Sequence, residues 1–221
     1  MYPLIREQQA VKSCKGMISP LILGIGLIIV IALALVYFLA GGKTAFPDRS
    51  SSNKNTAASS FPSLTPAPNI YQADDFSIVI PERWQKSSQP LPGSLLTIYK
   101  INEDHLNDLN AQKINFKSYL AVSFDNRDGR TKPQLLDLVR QSLTQISPNA
   151  KFSGFTESTI NDQPADFGEL DITQQNVNYK VLIALIIKGD KFFTISANTT
   201  TLKWPGYKDL LYQTAKSIKL K

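Results

Sequence analysis

Apolar and polar positions divide the 221-residue chain into three stretches. In the first, Leu21 to Ala40 is a near-unbroken apolar run, set in a window from Lys15 to Lys43 that holds no other charged side chain. Twenty helical residues rising about 1.5 Å each span roughly 30 Å, the hydrocarbon thickness of a bilayer. Pro20 stands at the entrance, where a missing N–H matters least, and Tyr37 and Phe38 stand near the exit, where aromatic rings favour the lipid–water boundary. A buried core helix of this length carries a polar face, and this run has none. Residues 17–40 are therefore predicted to cross a membrane once. A cleaved signal has only about 7–15 apolar residues, so a retained anchor is favoured, although Ala40-Gly41-Gly42 is an acceptable cut site.

The second stretch, residues 41–69, is rich in Ser, Thr, Pro, Ala and Asn, with Phe46, Phe61 and Leu64 as its large apolar groups. It holds too little apolar surface to offset ordering entropy and reads as a mobile tether. Pro62, Pro66 and Pro68 favour extended backbone.

From Ile70 to Lys221 the pattern is that of a folded domain. Phe76 to Ile80 reads as a strand stopped by Pro81, and Ser94 to Ile101 and Ile114 to Phe124 as two more. Asp125 to Arg130 is a turn. Pro133 opens a helix whose Leu135, Leu136, Val139, Leu143 and Ile146 recur at steps of three and four, and Ser147-Pro148-Asn149 closes it. Strands follow at Lys151 to Ile160, Ala165 to Thr173, Val177 to Lys188 and Lys191 to Asn198, separated by turns at Asn161-Asp162, Gln174-Gln175-Asn176 and Gly189-Asp190. Val181 to Ile187 is continuously apolar, which predicts a central strand covered on both faces. A last helix is predicted from Pro205 to Ile218, with Tyr207, Leu210, Leu211, Ala215 and Ile218 on one stripe. The predicted fold class is α+β, a layered sandwich with helices packed on an antiparallel sheet and one transmembrane helix before it.

Charge changes the picture little. The net +6 divides into +4 over residues 1–69 (six Lys/Arg, two Asp/Glu) and +2 over residues 70–221 (eighteen Lys/Arg, sixteen Asp/Glu). The domain's charges are mixed along the chain, without the concentration that nucleic-acid binding requires. One Cys and one His exclude an internal disulfide and a His/Cys zinc site within one chain. The positive-inside count ties, with Arg6, Lys12 and Lys15 before the helix and Lys43, Arg49 and Lys54 after it. The short signal-like tail, the exported-type linker and the position of Cys14, ahead of a Cys-free remainder, break the tie. Residues 1–16 are expected in the cytoplasm and 70–221 outside. Cys14 precedes the apolar run, so a lipoprotein is not expected.

Three short segments resemble the PsbP-like domain family. FSIVIPERW at 76–84 resembles its opening, GDKFFTISA at 189–197 its late hairpin, and YKDLLYQTAKSI at 207–218 its closing helix. The order of strands and helices between them agrees, so the resemblance covers about residues 70–220. It implies an α/β/α sandwich around a central antiparallel sheet. Known relatives include extrinsic photosystem II subunits, a nuclear Ran-release factor and anchored bacterial envelope proteins, none a well-established enzyme. The lipoprotein Cys of the cyanobacterial photosystem members is missing here, so no photosynthetic role is implied.

Candidate chemistry is sparse. Gly41-Gly42-Lys43-Thr44 ends like a phosphate loop, but Tyr37 stands where the earlier Gly belongs. Ser51 and Lys54 match a Ser-x-x-Lys pair in a tether that holds no scaffold. Lys15-Gly16 resembles a prepilin cleavage site, but Leu21 replaces the Glu expected five residues after the cut. His105, the only imidazole, sits among Glu103, Asp104 and Asp108 in a stretch that reads as a solvated loop; a cation site or the base of a hydrolytic triad is the alternative. Asp125 to Gly129 reads as a turn and not a calcium loop, because Arg127 occupies a ligand position. Asp166, Glu169 and Asp171 read as an exposed polar face, with Glu169 and Asp171 on one side of a strand. Trp84, Trp204, Tyr99 and Tyr207 read as core, with a ligand groove as the alternative. Asn198-Thr199-Thr200 is a glycosylation sequon.

No residue is assigned a catalytic, cofactor-binding or metal-binding role, and no cofactor is expected. The expected function is a membrane-tethered, extracytoplasmic, non-enzymatic binding domain. Its partners would be the lipid bilayer through residues 17–40 and an envelope protein, with no nucleic acid. The alternatives are an envelope hydrolase using His105 and a pilin-like subunit cleaved after Gly16.

Overall fold

The structure is a computed structural model and describes residues 69–105 and 107–221. The predicted membrane helix at 17–40, the possible cut after Gly16 and the tether up to residue 68 lie outside them. No helix among the described residues is long and apolar enough to cross a membrane.

In chain order the elements are β1 (Ile70–Gln72), β2 (Phe76–Val79), β3 (Trp84–Lys86), β4 (Leu96–Lys100), α1 (Leu109–Lys113), β5 (Tyr119–Asn126) and α2 (Lys132–Ile146). There follow β6 (Lys151–Ile160), β7 (Gln163–Gln174), β8 (Val177–Lys188), β9 (Lys191–Thr200), α3 (Trp204–Lys216) and β10 (Lys219–Leu220). Seven strands form one antiparallel sheet in the order β3-β4-β5-β9-β8-β7-β6, and β1-β2-β10 form a second, small sheet.

Strand β8 shows why the large sheet has a layer on each side. Side chains alternate along a strand, so neighbours in sequence serve opposite faces. Leu182, Ala184 and Ile186 pack with Trp204, Leu211 and Ala215 of α3 and with Phe76 and Ile78 of the small sheet. Val181, Ile183 and Leu185 pack with Leu135, Val139 and Leu143 of α2. The unbroken apolar run is thus two interleaved faces, each buried, as its composition predicts. A third cluster, with Tyr99, Phe116, Tyr119 and Tyr179, continues the α2 face beneath α1.

Local chemistry sets the boundaries. Gln134 accepts the Thr131 N–H at 2.8 Å, and Pro133 lies in the first turn of α2. Gly189 sits at φ 61° in the β8–β9 turn, a conformation that costs glycine nothing. The structure corrects one boundary and adds four short elements, α1 among them. The third predicted strand starts at Tyr119 and not at Ile114, because α1 precedes it. Asp108 caps α1 by accepting the Ala111 N–H at 3.0 Å. Strands β1, β3 and β10, of three residues or fewer, are additions.

The antiparallel order gathers one set of strand termini at a single end of the sheet. Trp84 pairs with Lys100, Tyr99 with Tyr119, Tyr119 with Asn198, Tyr179 with Thr200 and Gln174 with Val177. The segment from β4 to β5, carrying the sole histidine, folds across this end.

Candidate functional site

Glu103 lies at that end with its side chain fully buried (0% exposed). Its carboxylate accepts the backbone N–H of Ser118 and, at 2.6 Å, the Ser118 hydroxyl. The Tyr207 phenol of α3 is its third donor. Ser118 and Thr199 hydroxyls are 2.7 Å apart. The Ser118 hydroxyl is placed to donate to Thr199 Oγ1 as well as to Glu103, two acceptors for its single proton. Burial first, then the charge and hydrogen bond of Glu103, push the Tyr207 phenol up to about 12. One carboxylate thereby ties the β4–β5 segment to β5, β9 and α3.

His105 is likewise inside, at 6% exposure, which corrects the solvated-loop reading. Its Nε2 lies 2.6 Å from the Phe116 carbonyl and donates to it, since a carbonyl only accepts. The other ring nitrogen, Nδ1, is buried without a partner. Nε2 lies 3.9 Å from Glu103, too far for a hydrogen bond. The cause of the burial is Phe116, whose ring packs 5.9 Å from His105 and 5.0 Å from Tyr179. That apolar anchor, together with the capped α1, pulls a polar string inward. The signal available in sequence was Asp108 three residues before Ala111, a helix start, followed by Ile114 and Phe116.

This arrangement orders a loop and leaves Ser118 off the imidazole. A triad needs an imidazole nitrogen free to take the serine proton. Here the Ser118 proton goes to a carboxylate and the Nε2 proton to a carbonyl, so the ring nitrogen left over, Nδ1, is not paired with the Ser118 hydroxyl. Beside the network lies a cavity of about 220 Å³, lined by Asp104, His105, Asp108, Thr200, Leu202 and Lys203. Among the described residues, no three His, Cys, Asp or Glu side chains are grouped to hold a metal ion.

The other sequence candidates fall elsewhere. Asp166 is buried at 5% exposure and paired with Lys132 at 3.0 Å, which corrects its assignment to an exposed face. Glu169 and Asp171 do share a face, where Lys180 sits 3.4 Å from the first and 3.0 Å from the second. Lys208 and the Tyr212 hydroxyl also reach Glu169, at 2.9 and 3.0 Å. Burial opposes ionisation of Glu169, but these hydrogen bonds and the charges of Lys208 and Lys180 hold its carboxyl below the ordinary range. The pair is neutralised by lysines and is not set up as acid and base.

Trp84, Trp204 and Tyr99 are buried, and the Trp84 ring meets Tyr207 edge-on at 6.2 Å. Trp84 and Trp204 belong to the α3 face and Tyr99 to the opposite face, so the four aromatics line no common groove. The segment from Asp125 is the predicted turn: Arg127 donates its N–H to the Asp190 carbonyl at 2.7 Å, and Arg130 pairs with Asp128 at 3.2 Å. Asn198, Thr199 and Thr200 are buried in β9, which takes the sequon out of reach of a glycosylating enzyme once the chain is folded. Gly41 to Thr44, and Ser51 with Lys54, lie outside the described residues.

No protein-family pattern matches the chain, and no curated protein matches it by sequence. Solved structures do. The cyanobacterial PsbP protein (CyanoP) of Synechocystis superposes with a TM-score of 0.50 at 15% identity, over 74% of this chain and 98% of that one. LpqN of Mycobacterium tuberculosis, involved in cell envelope biogenesis, superposes with a TM-score of 0.52 at 10% identity, over 66% and 83%. The Ran-binding protein Mog1p of Saccharomyces cerevisiae reaches 0.47 at 13% identity, over 70% and 96%. The described domain has the PsbP-like fold.

Proposed function

We propose that residues 70–221 are a non-enzymatic binding domain, held outside the cell by a membrane helix at 17–40 and a tether at 41–69. The observation that carries the non-enzymatic part is that the Ser118 hydroxyl is not on the one imidazole: His105 Nε2 is bound to the Phe116 carbonyl, and the Ser118 hydroxyl is bound to the Glu103 carboxylate. A hydrolytic triad needs the serine hydroxyl held on the imidazole that takes its proton. The placement rests on the apolar run in the sequence. A structural neighbour that acts in envelope biogenesis agrees with it.

Two measurements test the reading. Protease added to intact cells should remove the part of the chain beyond residue 41, and its survival would place the domain inside. Purified chain should hydrolyse chromogenic esters no faster than buffer. A rate above buffer that disappears in His105→Ala would restore the hydrolase.

A further inference from the structure

Two leucines protrude at the His105 end of the sheet. Leu109 of α1 is 66% exposed, and Leu202, between β9 and α3, is 64% exposed. They are neighbours through the β7–β8 hairpin. Asn110 donates to the Asn176 carbonyl at 3.0 Å, and the Thr201 N–H donates to the Asn178 carbonyl at 2.8 Å. Polar and charged groups surround them, including Lys113 and Lys203 on one side of the balance and Asp104 and Asp108 on the other.

We infer that this end of the domain rests on a lipid bilayer, with Leu109 and Leu202 inserted between headgroups. A stable protein interface needs a contiguous apolar core within roughly 1,200–2,000 Å² of buried surface. Two leucine tips set among mixed charges do not supply one. A membrane interface needs only a few apolar side chains with lysines at headgroup level.

The bilayer is also the surface nearest to hand, and here the inference rests on the proposed anchor. Residues 41–68 separate the apolar run from Asn69. A flexible segment of that length reaches roughly 30 Å, so a weak contact acts at high effective concentration. Asn69 accepts from Ile80, which lies only a short turn ahead of Arg83, and Arg83 accepts from Ile101 at this same end.

The far end supplies an internal control. From Lys180 to Lys188, β8 runs eight residues toward the exposed Asp190, or about 26 Å at roughly 3.3 Å each. The full chain, with Cys14→Ser, is placed in phosphatidylcholine/phosphatidylglycerol nanodiscs carrying spin-labelled lipid. A fluorophore is attached at Leu109→Cys, Leu202→Cys or Asp190→Cys, one at a time. Labels at 109 and 202 should be quenched at least threefold more than the label at 190. Equal quenching at all three positions, or none, overturns the inference.

Carbonate washing of the same preparation tests the anchor separately. A carbonate-resistant chain with unquenched labels refutes the docking and spares the anchor. If the chain is stripped, it is presented to vesicles of the same lipids and judged by the same quenching ratio.

Discussion

Removing the carboxylate of Glu103 should loosen the whole end of the sheet. In Glu103→Ala, the Ser118 N–H loses its acceptor inside the protein, which costs about 1–3 kcal/mol for a buried donor. The Ser118 hydroxyl is compensated, because Thr199 Oγ1 lies 2.7 Å away and can accept instead. The half-buried Tyr207 phenol gives up a charge-assisted bond but can turn to water, a loss of about 1 kcal/mol. The cavity left by a fully buried side chain adds to this, for a total near 3 kcal/mol. At about 2–4 °C per kcal/mol for a domain of this size, Tm should fall by roughly 6–12 °C in a thermal melt. Glu103→Gln keeps one acceptor oxygen and should lose about half as much. In both variants, absorbance at 295 nm should show Tyr207 ionising at lower pH than in the parent, while burial, the larger cause of its shift, still keeps it above the ordinary phenol value. A solvated loop would make both substitutions nearly silent. A Tm change under 2 °C with an unmoved tyrosine titration would refute the network.

Three further outcomes are expected. A Cβ built on Gly168 stands 2.6 Å from a ring carbon of Phe152, so Gly168→Ala should destabilise by about 1–3 kcal/mol, toward the low end because that ring is half-buried and able to shift; chemical denaturation measures it. Tyr179, Tyr207 and Tyr212 are each raised to about 12, chiefly by burial, so the stability held in their neutral forms is complete below pH 10 and should be lost as pH rises from 10 through 12. The depressed carboxyl of Glu169 works in the opposite sense: its contribution is present above the ordinary carboxylate range and lost as pH falls below it, so Glu169→Gln should flatten the acid limb of stability against pH.

The main sheet was legible because its long strands carry their burial in their own composition. β8 could hardly be read otherwise, with both faces apolar, and the glycine turn at 189 set the hairpin to β9. The short strands were not legible, since β1, β3 and β10, at three residues or fewer, are too short to carry a periodicity of their own, and β10 also depends on a partner far away in sequence. The site was hidden for a related reason. Glu103 and His105 look solvated until Ser118, Phe116, Thr199 and Tyr207 arrive from four later places in the chain. Hydrophobicity scores a side chain alone, whereas a buried polar network is a property of the set. The same blindness affected Asp166, whose burial depends on Lys132 from α2.

The small sheet bears on the order of events during synthesis. Its middle strand, β2, is flanked by β1 a few residues earlier and by β10 almost the whole domain later, with Ser77 opposite Lys219 and Phe76 opposite Leu220. A half-translated domain therefore cannot complete this sheet, and one edge of β2 keeps its backbone groups unpaired until residue 220 has been added.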